Sequence, residues 1–221
     1  MKVIITIPAY NEAGSISIVL KEIQSVMQKT KYNFELVVVD DGSTDATAAL
    51  AKKQGAYVVR HNRNQGLATA FRTELRTCLD RKADIIVHTD ADGQYLAKDI
   101  PILIKAVEDG ADLVLGSRFK GGIEHMPLLK RLGNKAFSKV ISKITGFKLS
   151  DCQTGFRAFT KTVAKTVPIT SFHTYTQEQI VRTLRLNFKV VEIPTYFAKR
   201  DTGKSRLMKN PLEYAAKAWI N

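Results

Sequence analysis

Between residues 85 and 95 the chain reads IIVHTDADGQY. Asp90, Asp92 and Gln94 put two carboxylates and an amide on alternate residues, directly after an apolar run that reads as a buried strand. Two like charges this close repel and raise one pKa unless a cation sits between them. The donors are hard oxygens, so the expected ion is Mg²⁺ or Mn²⁺ rather than zinc. Such ions take few protein ligands and fill their shell from substrate phosphates, which implies a diphosphate-bearing substrate. Gln94 is placed to orient a bound water or phosphate. A second cluster, VVVDDGSTD, sets Asp40 and Asp41 at another strand end, where a carboxylate can accept hydrogen bonds from a ribose or a base. Gly42 allows the tight turn and Ser43 or Thr44 can cap the next helix. Helix-start chemistry explains Ser43, Thr44 and Asp45 but not the Asp pair.

Other catalytic signatures fail. There is no G-x-G-x-x-G after the first strand and no G-x-S-x-G. DTGKSR ends like a phosphate-binding loop, but Ala198 stands where the first glycine belongs and the strand–loop–helix context is missing. His61, His88, His125 and His173 are scattered and read as structural.

The elements that must position these groups alternate along the first half. Apolar runs at 2–7, 34–40, 56–60, 84–88 and 112–117 read as strands, and amphipathic stretches at 15–28, 44–54, 66–80 and 98–110 as helices. That alternation means an α/β fold with a mostly parallel sheet flanked by helices, whose ligands bind beyond the carboxyl ends of the strands. The polar clusters PAYNE, DDGSTD, NRNQG, DADGQ and GSRF all fall there. The second half predicts an amphipathic helix over 127–144, a loop running into a strand over 151–160 and a helix over 174–187. A strand over 188–197 broken at Pro194, a basic loop over 198–207 and a last helix over 211–220 complete it.

The 221 residues carry a net charge of +13, and the excess is not evenly spread. Residues 1–116 hold 14 Lys/Arg and 15 Asp/Glu; residues 117–221 hold 20 and 6. A basic second half calls for an anionic partner. Two cysteines, Cys78 and Cys152, without a Cys-x-x-Cys, argue against a disulfide framework or a structural zinc and fit a reducing compartment. The N-terminal apolar run ends at Pro8, too early for a signal peptide, and no run approaches the roughly 20 residues of a membrane span.

Taken in order, IPAYNE, VVVDDGSTD, NRNQGLATA, DADGQ, GSRF and DCQTGFRAF resemble the family 2 glycosyltransferases of GT-A fold, and within them the dolichyl-phosphate mannose synthase branch of polyprenyl-phosphate glycosyltransferases. The resemblance covers about residues 3 to 207. It implies that Pro8, Tyr10 and Glu12, with Asp40 and Asp41, cradle the nucleotide, and that Ala91 lies along its ribose-diphosphate. Asp90, Asp92 and Gln94 then hold the metal and the diphosphate. Arg118 and Arg131 face the acceptor phosphate, together with Lys135, which stands where relatives often have serine. Arg200 and Lys204 lie in a basic loop that closes over both phosphates, and Asp92, Arg118 and Arg200 carry the catalysis. Residues 1–207 would form the transferase domain, with 1–116 the nucleotide-sugar half and 117–207 the acceptor half. Residues 208–221 would form a helix close to the membrane.

The implied reaction moves a sugar, mannose from GDP-mannose first, to a polyprenyl or dolichyl phosphate, with inversion. A phosphate acceptor is ionised near neutral pH and needs no strong general base. Asp151 and Glu178 are expected to contact sugar hydroxyls. UDP-glucose or UDP-N-acetylglucosamine as donor is the alternative, or a saccharide hydroxyl as acceptor with Asp151 as base. A nucleic-acid-binding module leaves both aspartate clusters unexplained, since carboxylates repel phosphate without metal. Many relatives continue into membrane-spanning helices, so attachment to the cytoplasmic face of a membrane is expected to be peripheral, supplied by an anchoring partner subunit, or lost by truncation. In the helix over 127–144, Leu128, Leu132, Ala136, Val140 and Ile144 form one row. They suit either an anionic interface or the domain core.

Overall fold

The run KVIITIPA forms the central strand of the parallel first half, β1 (Lys2–Ala9). Its alternate side chains enter different cores: Val3, Ile5 and Ile7 go to one face of the sheet and Ile4 to the other. The computed structural model describes residues 1–172 and 174–200. After β1 the chain makes α1 (Ile16–Met27), β2 (Asn33–Asp40), α2 (Thr47–Lys53), β3 (Tyr57–Arg60), α3 (Leu67–Asp80) and β4 (Ile85–His88). A 3₁₀ turn (Ala97–Asp99) leads into α4 (Ile100–Glu108) and β5 (Leu113–Ile123). The remainder is α5 (Leu128–Thr145), β6 (Arg157–Thr160), α6 (Lys161–Thr166), α7 (Thr176–Arg185) and β7 (Val190–Phe197).

The seven strands among the described residues form one sheet in the order β3-β2-β1-β4-β6-β5-β7. All neighbours are parallel except those of β6, which runs antiparallel between β4 and β5. An antiparallel strand begins where its neighbours end. His88, the last residue of β4, therefore pairs with Arg157, the first of β6, and the QTGF segment before it arrives at the same sheet edge as Asp90.

Three elements differ from the sequence reading. β7 runs unbroken through Pro194, because it is an edge strand and the exposed proline costs no ladder bond. β5 continues past Ser117 to Ile123 across a register shift. α6 was not foreseen; its cap is Thr160, whose hydroxyl accepts from the Val163 amide. Helix α5 buries Asn134, Ser138 and Ile141, so of the two alternatives for its apolar row, packing on the domain core is not the one taken. Leu128, Leu132 and Ile144 are exposed. The expected last helix, with Trp219, and His173 lie outside the described residues.

Candidate active site

The carboxyl ends of β1, β2, β4 and β5 surround a cavity of about 580 Å³. Its floor is Asp90-Ala91-Asp92, directly after β4. The Asp90 carboxylate is recessed yet reachable, with 37% of the side chain exposed. Burial, reinforced by the charge of Asp92, pushes its pKa up to about 6. Gly155 keeps the room it needs: a Cβ there would lie 3.2 Å from one Asp90 oxygen and 3.3 Å from the other. Among the described residues no third Asp, Glu, His or Cys joins the pair in a cluster. Two carboxylates side by side on the cavity floor fit a hard divalent cation with further oxygen ligands from a substrate. Gln94 lines the cavity too, but its amide nitrogen donates to the Ala198 carbonyl at 3.0 Å, and the Ala198 amide donates back to the Gln94 carbonyl at 2.8 Å. Gln94 thus pins the segment after β7 against the floor.

That segment carries Arg200. Its guanidinium lies 2.6 Å from Glu12 Oε1 and 3.7 Å from Asp92 Oδ2, bridging the loop after β1 to the floor. Pro8, Tyr10 and Glu12 line the same cavity. The turn after β2 is built from its own acids. Asp41 accepts the Gln65 and Gly66 amides, each at 2.9 Å, and pairs with His61 at 2.7 Å. Gly42, at φ +76°, lets the turn pass against Arg63, where a Cβ would come within 2.4 Å of backbone. Asp41 reaches the cavity. Asp40 does not: it is fully buried, accepting the Ser43 amide at 3.0 Å and pairing with Arg60 at 3.0 Å. Its place is beneath the cavity wall rather than in it.

On the opposite side Arg118 reaches the cavity from β5. Asp151 holds it by two bonds of 2.7 Å to the guanidinium and one of 3.1 Å to the backbone amide. Asp151 is in turn fixed by Glu192 of β7, which accepts its amide at 3.0 Å. With every contact of Asp151 spent on this scaffold and none of its surface exposed, it neither meets a sugar hydroxyl nor serves as a base. Glu178 lies elsewhere, accepting the Thr170 and Ser171 amides and pairing with Arg182.

The cation that α5 turns into the cavity is Lys130. Burial, then the nearby Arg118, lowers its pKa. Arg131 and Lys135 are exposed and do not line the cavity; Lys135 sits over the Phe119 ring at 5.5 Å. Lys130 shares one face of α5 with Asn134, Ser138 and Ile141, and those residue types are no sequence signal for a buried face; it is the buried one, with Ser138 accepting the Cys152 amide at 3.0 Å. Tyr175, also lining the cavity, had no sequence signal either. Lys204 lies outside the described residues.

The model of the family described as Glycosyl transferase family 2 matches residues 4–167. An uncharacterised protein of Methanocaldococcus jannaschii is 38% identical over 169 residues, 75% of this chain and 68% of its own length. The dolichol-phosphate mannosyltransferase of Pyrococcus furiosus is 33% identical over 224 residues, 97% of this chain and 62% of its own length. Among solved structures, glucosyl-3-phosphoglycerate synthase from Mycobacterium tuberculosis, crystallised with Mn²⁺, UDP and glucosyl-3-phosphoglycerate, superposes with a TM-score of 0.69. That match covers 97% of this chain and 75% of the other at 20% identity, a likeness of fold.

Proposed function

The chain belongs to glycosyl transferase family 2, and from that premise we propose that it transfers a sugar, mannose from GDP-mannose first, to a polyprenyl phosphate. The observation that carries the reading is the division of one cavity: a carboxylate floor of Asp90 and Asp92 under a cationic wall of Arg118, Lys130 and Arg200. The first suits a cation-bound diphosphate and the second a phosphate acceptor. The name of the Pyrococcus relative points to the same acceptor class.

Pro8, Tyr10 and Ala91 bound the nucleoside side of the cavity. Asp90 and Asp92 would hold Mg²⁺ or Mn²⁺, which when bound neutralises charge on the leaving diphosphate. Arg118, kept rigid by Asp151, and Lys130 bind the acceptor phosphate and aim one of its oxygens at the anomeric carbon. Arg200 offers its charge to the leaving group from above the floor. Attack in line inverts the anomeric centre, and the ionised acceptor needs no base. A saccharide hydroxyl would need one, and the occupied state of Asp151 speaks against that acceptor.

No helix among the described residues is long and apolar enough to cross a membrane. The acceptor's phosphate lies at a bilayer surface. Leu128, Leu129 and Leu132 are exposed beside Lys130, and this first part of α5 is the face that would enter the interface, from the cytoplasmic side.

The test is transfer from GDP-mannose, UDP-glucose and UDP-N-acetylglucosamine, each with Mn²⁺ or Mg²⁺, to a polyprenyl phosphate in detergent. The expected product is a metal-dependent polyprenyl-phosphate sugar, and the preferred donor is also the one that raises Tm most. Turnover onto a saccharide with none onto any polyprenyl phosphate would overturn the reading.

A further inference from the structure

Three buried polar side chains, one lining the cavity and two behind it, have no part in the mechanism above. Glu74 of α3, His88 at the end of β4 and Tyr175 at the start of α7 are 0%, 0% and 1% exposed. Glu74 Oε2 lies 2.7 Å from His88 Nδ1, and the Tyr175 hydroxyl 2.6 Å from His88 Nε2. A carboxylate only accepts, so Nδ1 carries a proton, and in the neutral ring Nε2 accepts from the phenol. Aromatic packing fixes the same group: Tyr175 stacks on Phe71 of α3 at 3.8 Å, and Phe71 meets the His88 ring edge-on at 5.3 Å. Buried Arg157 closes the far side, donating to the carbonyls of Thr154 and Thr176 and to Gln179 Oε1.

A chain like this is costly to bury. One Glu74 oxygen has no hydrogen-bond partner among the described residues, and apolar side chains of similar volume commonly make a more stable core. What the chain does accomplish is to join three segments that each supply cavity wall. α3 follows Gly66 and begins at Leu67; β4 runs on into Asp90, whose Oδ1 is 3.9 Å from His88 Nε2; α7 begins beside Tyr175.

We infer that Glu74, His88 and Tyr175 are positioning residues for the transfer step, setting the separation between the Asp90 floor and the wall at Thr174–Thr176, and with it the alignment of donor sugar and acceptor. The inference rests on the transferase reading above for its rate measurements, but its metal arm does not depend on the acceptor.

Tyr175→Phe removes one hydroxyl and keeps the stack on Phe71. A misalignment of about 1 Å costs on the order of 100-fold, so transfer kcat is expected to fall about 10- to 100-fold with donor KM changed less than about twofold. Hydrolysis of the nucleotide sugar by water, which needs no aligned acceptor, should fall far less, so the hydrolysis-to-transfer ratio rises about tenfold. Glu74→Gln still accepts from Nδ1–H and should keep the larger part of the transfer rate. His88→Leu frees both partners and should weaken Mn²⁺ binding with a nucleoside diphosphate about tenfold, read by electron paramagnetic resonance without turnover. A folded Tyr175→Phe protein that transfers at the wild-type rate would overturn the inference. So would equal loss of transfer and hydrolysis together with unchanged Mn²⁺ affinity in His88→Leu. If the wild type binds Mn²⁺ and nucleoside diphosphate yet transfers to no polyprenyl phosphate, the acceptor reading fails, and the His88→Leu affinity alone then upholds or overturns the positioning role.

Discussion

Burial, with the charge of Asp92 beside it, pushes the pKa of Asp90 up to about 6, against 3.8 for a free carboxyl. The native protein therefore binds one more proton than the unfolded chain between those values. Without metal, this contribution favours folding below the lower value and is lost as pH rises through about 6. Asp90→Asn should flatten that dependence and raise the Tm of the EDTA-treated protein at pH 7; a calorimetric pH series checks it. Mn²⁺ competes with the same proton, so its affinity should fall by about tenfold per pH unit below that pKa. Asp92→Ala should abolish transfer while leaving metal-free stability equal or slightly higher, since it removes the repulsion. For the acceptor, Lys130→Ala should cost about 10- to 100-fold in transfer, a charge-assisted contact being worth roughly 1.5–3 kcal/mol, while Arg131→Lys costs less than about threefold. Steady-state kinetics at saturating donor separates them. The floor was legible because alternation along a strand end exposes its oxygens. Lys130 was not, because the residue types of α5 suggest the opposite face.

Helix α5 turns the usual pattern inside out: small polar residues face the protein and leucines face outward. Its exposed apolar positions stand among Arg131, Lys135, Lys139 and Lys143, which are exposed too. Each basic residue contributes on the order of 1 kcal/mol at an anionic surface, and salt weakens it. We expect flotation with anionic vesicles at low salt, release at high salt and weak binding to neutral vesicles. Replacing Leu128, Leu129 and Leu132 together by serine should cut vesicle binding about tenfold or more and leave donor-induced Tm shifts unchanged. Elements were read well where a period was clean, as in α1, whose buried Ile16, Val19, Leu20, Ile23 and Met27 follow the expected stripe. They were misread where tertiary context decides. Four residues, RAFT, carry no sign of which strands they will pair with, and Pro194 reads as a break until the strand is known to be an edge.

At the scale of the whole molecule, the acidic and basic clusters of the sequence meet across one cavity in one sheet. The alternation of the first half announced the parallel strands; the insertion of β6 between β4 and β5 had no local signature, because it is a long-range pairing. Its position has a consequence for synthesis. As the chain leaves the ribosome, β1 to β4 can assemble early, but β4 then presents an open apolar edge until Arg157–Thr160 has emerged and turned back into the gap. Open edges of this kind recruit other chains. The nascent protein is thus most exposed to mispairing while α5 is being made, and a ribosome pause in that interval should raise the aggregated fraction more than one placed after β6. The first half of the chain does not close by itself: it waits for a strand that belongs to the second.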